Sequence, residues 1–291
     1  MALRLGRPDF TARARFEPDF ARRLEVFVAR VASSRERREG ARVGRGAGDG
    51  AEFVGYRPYR AGEDLRRLDW SLFARLDRPF VRVTRPEVGG RWVVWLDASA
   101  SMSLGTPSKW QRACELAAAL ACVGVRAGAR VRLEASSRRE APFEFARLAD
   151  LPGLILWLET LEARGRDGLA TLVRPVPGVS ALWALGDGLD LEPASFARLG
   201  GPARTLGAVC ILAPDELAPD PRGAVRWLEP ESGESVELDV DSATRSRYLA
   251  ALEARLERWQ SELADAGASF AVAASTAPFE DAAFAVLRRA W

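Results

Sequence analysis

Apolar residues recur along this chain with two different periods, and the change from one to the other outlines the architecture. Phe20, Leu24, Phe27, Val28 and Val31 fall at helical spacing and predict an amphipathic helix over about residues 18–33. Short apolar-aromatic runs follow between residues 52 and 87, of which Phe80-Val81-Arg82-Val83 alternates as a strand does. At residue 91 the pattern changes. Arg91-Trp92-Val93-Val94-Trp95-Leu96 is nearly all apolar, as expected of a strand buried on both faces. Beyond it the chain predicts a helix at 108–127, a strand at 130–135, a helix at 151–163, a strand at 179–185 and a short helix near 193–199. A strand at 206–212, a hairpin from 225–228 and 235–240, a helix at 243–266 stopped by Gly267, a strand at 269–274 and a helix at 280–290 complete it. Strands alternating with helices specify an α/β fold, a mostly parallel sheet covered by helices on both faces. Ligands of such sheets sit at the carboxyl ends of the strands.

Charge and composition divide the chain further. Residues 1–48 hold twelve arginines and six acids, a net of +6, so the remainder sums to −4 within a total of +2. A basic N-terminal helical arm is therefore expected over 1–45, a small β region over 46–90 and the α/β domain over 91–291. The glycine-rich run Gly44-Arg45-Gly46-Ala47-Gly48-Asp49-Gly50 reads as a connector: no strand precedes it and no Lys-Ser/Thr closes it, so it is not a phosphate loop. No run approaches the ~20 apolar residues that span a bilayer. The first residues lack the apolar core of a signal peptide, and three unclustered cysteines suit a reducing compartment. Cytoplasm is the expected location.

The chain has no histidine, and Lys109 is its only lysine among 42 basic residues. Histidine-based nucleophile systems, general acid/base work and metal sites are thereby excluded, and three cysteines cannot build a four-thiolate zinc site. Any metal must be held by oxygen, which favours Mg²⁺, Mn²⁺ or Ca²⁺. The first buried strand runs into Asp97-Ala98-Ser99-Ala100-Ser101. That places one carboxylate and two hydroxyls, all hard donors, at the strand end where ligands bind, ahead of a helix whose N-terminus attracts anions. Two outcomes stay open: half of a cation's coordination sphere, or Asp97 accepting backbone hydrogen bonds while the serines cap the helix.

Asp97-x-Ser99-x-Ser101 after an apolar strand resembles the metal-ion-dependent adhesion site of von Willebrand factor A domains. Gly62-Glu63-Asp64-Leu65-Arg66-Arg67-Leu68-Asp69-Trp70, continuing to Ala74-Arg75, resembles the hallmark segment of the bacterial domain-of-unknown-function family fifty-eight, which precedes a von Willebrand A-like strand. Tyr59 and the Gly46-x-Gly48 to Glu52-Phe53 lead-in fit as well. The resemblance implies a von Willebrand A-like, Rossmann-like sheet, a site completed by a Thr on a second loop and an Asp after a later strand, and a protein partner of the MoxR-type AAA+ ATPase class. Thr171 and Asp187 match those two positions, although Pro175 and Pro177 block the helix that follows the threonine loop in the pattern.

These observations favour a non-enzymatic interaction module binding a divalent cation through Asp97, Ser99, Ser101, Thr171 and Asp187. A metal-assisted phosphoester hydrolase is the alternative, as is binding of nucleic acid or another anion through the basic arm. Within the hallmark segment, Asp64, Arg66, Asp69 and Arg75 are expected to pair with one another while Trp70 and Phe73 anchor it. Trp95, Trp157, Trp183, Trp227, Trp259 and Trp291 are expected to pack at element ends, with Trp110 the candidate for a partner surface. Cys114 and Cys122, eight apart on one helix, are expected to be small buried apolar residues.

Overall fold

The computed structural model describes residues 10–42, 52–58, 72–73, 78–85, 90–137, 140–200, 204–220 and 222–290, and its apolar strands gather in one central sheet. The chain runs β1 (Ala12–Arg13), α1 (Phe20–Arg42), β2 (Glu52–Pro58), β3 (Phe80–Arg85), β4 (Arg91–Leu96), α2 (Lys109–Arg126), β5 (Arg130–Ala135), β6 (Phe143–Phe145), α3 (Leu151–Thr160), β7 (Glu162–Ala163) and β8 (Val179–Gly186). It continues through α4 (Pro193–Ala197), β9 (Thr205–Leu212), α5 (Pro214–Leu217), β10 (Gly223–Leu228), β11 (Ser235–Val240), α6 (Ser242–Asp265), β12 (Ser269–Ala274) and α7 (Phe279–Ala290). Six strands pair in the order β12-β9-β8-β4-β5-β6, all parallel except the antiparallel edge strand β6. Counted by chain order within the sheet this is 3-2-1-4-5-6, the doubly wound arrangement, whose switch point lies between β4 and β8.

The near-continuous apolar run of β4 has its reason in the two cores. Trp92, Val94 and Leu96 point into a core shared with α2, α3, α7 and α1, whereas Val93 and Trp95 point into the other, beneath α4 and α6. β8 divides in the same way, Trp183 and Leu185 on one face and Leu182 and Ala184 on the other. Each such side chain contributes roughly 1.5–3 kcal/mol by leaving water, so a central strand polar on either face would not hold this position. α2 begins at its cap Ser108, whose hydroxyl accepts from the Gln111 amide at 3.1 Å. α6 stops just before Gly267, at φ +71°, a backbone conformation in which glycine carries no side-chain penalty.

The N-terminal stripe docks on the body. Phe20, Leu24, Phe27, Val28 and Val31 are all buried, with Phe27 edge-on to Phe279 and Phe284 of α7. Arg23 makes a bidentate bond to Glu280, both contacts of its Nη2 at 2.9 Å. The helix is longer than the apolar stripe predicts, Phe20–Arg42, because Arg35, Glu36, Arg37, Arg38 and Glu39 are residue types of good helix propensity. Three elements had no hydrophobic pattern to announce them: the three-residue edge strand β6, the β1–β7 pair and the one-turn α5. In the small β region, β2 and β3 form an antiparallel pair. The hallmark segment lies outside the described residues apart from Leu72 and Phe73, as do the glycine-rich connector, Tyr59 and Trp291.

Two expectations for tryptophan are corrected. Trp110 is 0% exposed inside the α2 core, so it cannot line a partner surface. Trp227 is 45% exposed on the β10–β11 hairpin, which among the described residues forms a two-stranded sheet by itself. Trp95 and Trp183 are buried at 0%, and Trp259 stacks on Phe270 at 5.7 Å. Cys114 and Cys122 are free and buried, as expected, and burial pushes the Cys122 thiol up to about 12. Among the described residues no helix is long and apolar enough to cross a membrane.

Candidate functional site

The switch point brings together the ends of β4 and β8. Sheet pairing carries one residue past each strand, with the Asp97 amide donating to the Leu185 carbonyl at 2.9 Å. The two aspartates, Asp97 after β4 and Asp187 after β8, thereby emerge side by side. Gly186 permits the approach, since a Cβ there would stand 2.6 Å from the Asp97 Cβ. The loop beyond Asp97 is held on its other side by the Arg164 amide to the Ala98 carbonyl (2.8 Å) and the Ala100 amide to the Gly165 carbonyl (3.0 Å).

Within this frame a single chain of hydrogen bonds links four predicted site residues. Ser99 donates from its amide (2.9 Å) and its hydroxyl (2.6 Å) to Asp97 Oδ1, and the Ser99 and Ser101 hydroxyls lie 3.1 Å apart. Ser101 Oγ donates in turn to Asp187 Oδ2 at 2.8 Å. All four residues are buried, none more than 4% exposed. The serines do not cap the following helix, a task that falls to Ser108. Their hydroxyls are turned to the carboxylates.

Thr171 is placed in the adjoining turn, residues 169–172, where its Oγ1 donates to the Gly168 carbonyl at 2.9 Å. That turn packs against the site, because the Leu169 side chain lies beside Gly186. Asp190 ties it down by accepting from the Ala170 amide at 2.9 Å. No helix follows it, in keeping with Pro175 and Pro177.

Three side chains beyond the expected set complete the surroundings. Lys109, the first residue of α2, is 0% exposed and places its Nζ 2.9 Å from Asp187 Oδ2 and 2.8 Å from Glu216 Oε1. Burial works against its charge, yet the two carboxylates outweigh it and hold the ammonium above its ordinary range. Glu216 is fixed by the Ala213 amide on its other oxygen (2.6 Å) and by the Tyr248 hydroxyl on its carbonyl (2.8 Å). Glu231, in the β10–β11 turn, lines a groove that Ala100 also borders. The one signal for Lys109 in the sequence is its singularity, a lysine in a chain that otherwise uses arginine.

The electrostatics leave this pocket short of positive charge. Asp97, Asp187 and Glu216 against Lys109 give a formal net charge of −2. Burial, then the neighbouring Asp187, push the Asp97 carboxyl well above the usual range, against the two bonds from Ser99. Among the described residues no group of three or more His, Cys, Asp or Glu side chains is positioned to hold a metal. An ion here would therefore depend on the serine hydroxyls as well as the carboxylates. The donor set, all oxygen and short of cationic charge, fits a hard divalent cation.

Fold and site thus define a doubly wound α/β protein with a buried Asp-Ser-Ser-Asp cluster at its switch point. A family model described as Protein of unknown function DUF58 matches residues 55–150, a stretch that contains the hallmark segment, Asp97, Ser99 and Ser101. Uncharacterized proteins of Mycobacterium tuberculosis and Mycobacterium bovis are each 38% identical over 90 residues, 30% of this chain and 28% of theirs. The chain thus spans under a third of the length of the curated relatives it matches. Among solved structures, the conserved hypothetical protein BatB of Bacteroides thetaiotaomicron aligns at 13% identity with a TM-score of 0.38, over 69% of this chain and 99% of that one. An aerotolerance-related membrane protein of Bacteroides fragilis aligns at 16% identity, also with a TM-score of 0.38, over 69% of this chain and 98% of that one.

Proposed function

We propose that this chain is a von Willebrand A-like, non-enzymatic interaction module of the cytoplasm. In this reading Asp97, Ser99, Ser101 and Asp187 hold a divalent cation, Mg²⁺ before Mn²⁺ or Ca²⁺, with Thr171 in the loop beside them. When bound, the ion supplies an open coordination position for a carboxylate of a protein partner. The observation that carries the reading is the pair of buried carboxylates, bridged by two hydroxyls at the switch point, with one ammonium to neutralise three acids. The hydroxyls can turn from donating to the carboxylates to offering their lone pairs to an ion without moving the backbone. Binding is preferred to catalysis because the chain has no histidine and its one lysine is engaged by two carboxylates. A MoxR-type AAA+ ATPase as the partner follows from the family resemblance alone.

Thermal melting with Mg²⁺ or EDTA tests the site. A ligand at about 100 times its Kd stabilises by ~2.7 kcal/mol, or roughly 5–11 °C for a domain of this size. Asp97→Asn should melt no lower than wild type in EDTA, because it removes a buried repulsion, and should lose the Mg²⁺ response. A wild type whose melting ignores both Mg²⁺ and Mn²⁺ sinks the reading. Affinity purification with and without EDTA, followed by mass spectrometry, tests the partner class.

A further inference from the structure

The second strand of the β10–β11 hairpin has an unusually regular sequence. After its opening serine, Val236-Glu237-Leu238-Asp239-Val240 alternates apolar and acidic residues, and residues 235–239 are all exposed. The register sets Trp227 opposite Val236 and Val225 opposite Leu238, so these four share one face of the hairpin, with Glu237 and Asp239 on the other. Among the described residues β11 pairs with β10 alone, which leaves the amides and carbonyls of its outer edge open to a further strand. Two strands by themselves are marginally stable in water. A third would add ladder bonds and extend the apolar face that now meets solvent at Trp227, Val236 and Leu238. Charge narrows what that strand can be. Residues 223–240 hold five acids and one arginine, a net of −4, and Glu229, Glu234, Glu237 and Asp239 are all exposed.

We infer that β11 is a docking edge for an extended segment of a protein partner in which apolar and basic residues alternate. Laid along β11, such a segment sets its apolar side chains beside Val236 and Leu238 and its Lys or Arg side chains beside Glu237 and Asp239, while its main chain pairs with the open edge. Apolar and opposite-charge neighbours across the strands both favour that pairing. The same acids disfavour other occupants. A second copy paired antiparallel along this edge would bring acid against acid, and like charges directly opposite destabilise a ladder. A net of −4 likewise repels nucleic acid and anionic lipid. The inference concerns a different surface from the Asp97–Asp187 cluster and does not depend on a cation there.

Fluorescence anisotropy of a labelled peptide alternating valine and lysine, titrated with the full chain in EDTA, tests this. Wild type is expected to bind it, less tightly as salt rises, and to slow hydrogen exchange in residues 235–239 when it does. The corresponding valine–glutamate peptide should stay free. N-methylation of the valine–lysine backbone should abolish binding, which mere attraction between opposite charges would survive. The double variant Glu237→Lys, Asp239→Lys should bind the valine–lysine peptide roughly tenfold more weakly, two cross-strand charge pairs having turned repulsive, and should now take the valine–glutamate peptide. Glu253→Lys with Glu257→Lys makes the same charge change at exposed positions of α6 and should bind as wild type. If wild type leaves the valine–lysine peptide free, or binds its N-methylated form equally well, the inference falls. It falls too if wild type sediments as a dimer in which residues 235–239 are protected from exchange, because the edge then serves a second copy.

Discussion

Replacing Lys109 by methionine puts the electrostatic account of the site to its most direct test. The side chain is 0% exposed, and its ammonium sits 2.9 Å from Asp187 and 2.8 Å from Glu216. A cation at the first turn of a helix is also opposed by the helix dipole, so only those carboxylates account for it there. Methionine keeps most of the volume and removes the charge, leaving Asp187 buried with Ser101 and the Leu189 amide as its remaining donors. Removing one partner of a buried pair costs about 3–5 kcal/mol, which corresponds to a fall of roughly 6–20 °C in melting temperature. Adding Asp187→Asn removes the orphaned charge and should recover part of the loss, with a coupling of about 1 kcal/mol or more in a double-mutant cycle. In Lys109→Met the formal charge falls from −2 to −3, so Mg²⁺ should stabilise it by more than it stabilises wild type. Lys109→Arg is expected to cost about 1–3 kcal/mol, because a planar guanidinium overfills a space shaped for an ammonium. Calorimetric melts of the five proteins, wild type, the two Lys109 variants, Asp187→Asn and the double variant, in EDTA and in Mg²⁺ decide the matter. A Lys109→Met variant melting within about 2 °C of wild type, less than 1 kcal/mol, with no coupling to Asp187, would falsify the account.

Further predictions address the frame around the site. Gly186→Ala sets a Cβ 2.6 Å from that of Asp97. It should destabilise by about 1–3 kcal/mol through overpacking and abolish the Mg²⁺-induced melting shift; a variant that keeps that shift would show that Asp97 need not be held so closely. Glu134, buried but bonded to Arg132 and Arg174, has its carboxyl held below its ordinary 4.5 because those bonds outweigh the desolvation that opposes them. Its contribution is complete above pH 4.5 and is lost as the pH falls through the lower folded value. Glu134→Gln should therefore lower stability at neutral pH and flatten the acid limb of a stability-against-pH curve, and an acid limb as steep as wild type would count against the pairing. Burial raises all three thiols, Cys122 and Cys210 to about 12. Native protein at pH 8 should react with a disulfide reagent only as fast as it unfolds, and prompt labelling of any one cysteine would contradict its burial.

How far the fold could be read in advance depended on how each element is stabilised. β4, β8, β9 and β12 are buried on one or both faces, and their apolar runs say so. The bounds of β12 agree to the residue, Ser269–Ala274. α2 and α6 carry their stop and start signals in Ser108, Asp241 and Gly267. The edge strand β6 and the β1–β7 pair are instead held by backbone pairing to a neighbour, over three and two residues. No periodicity can build over so short a length. The course of the N-terminal stripe was legible, but not what it packs on, because Phe279 and Phe284 lie more than 250 residues further along the chain.

The site divides along the same line. Asp97, Ser99 and Ser101 are within five residues and advertise themselves by alternation after a buried strand, and Asp187 by ending another. Their common chemistry could be read because local spacing and the switch-point rule place them together. The residues that set the electrostatics are different in kind. Lys109 reaches Asp187 from the first turn of α2, and Glu216 meets Lys109 from a one-turn helix after β9, each contact joining segments dozens of residues apart. In the sequence Glu216 looks like an ordinary surface charge, and Lys109 stands out only as the chain's one lysine. Only folding makes Lys109 a buried counter-charge to Asp187 and Glu216. The absence of histidine had left oxygen as the sole donor class, and the three-dimensional arrangement adds that this oxygen cluster carries more negative charge than the lone lysine can offset. Under the reading proposed above, a divalent cation from solution balances it, and a proton on Asp97, whose carboxyl burial and Asp187 push up, is the competing way.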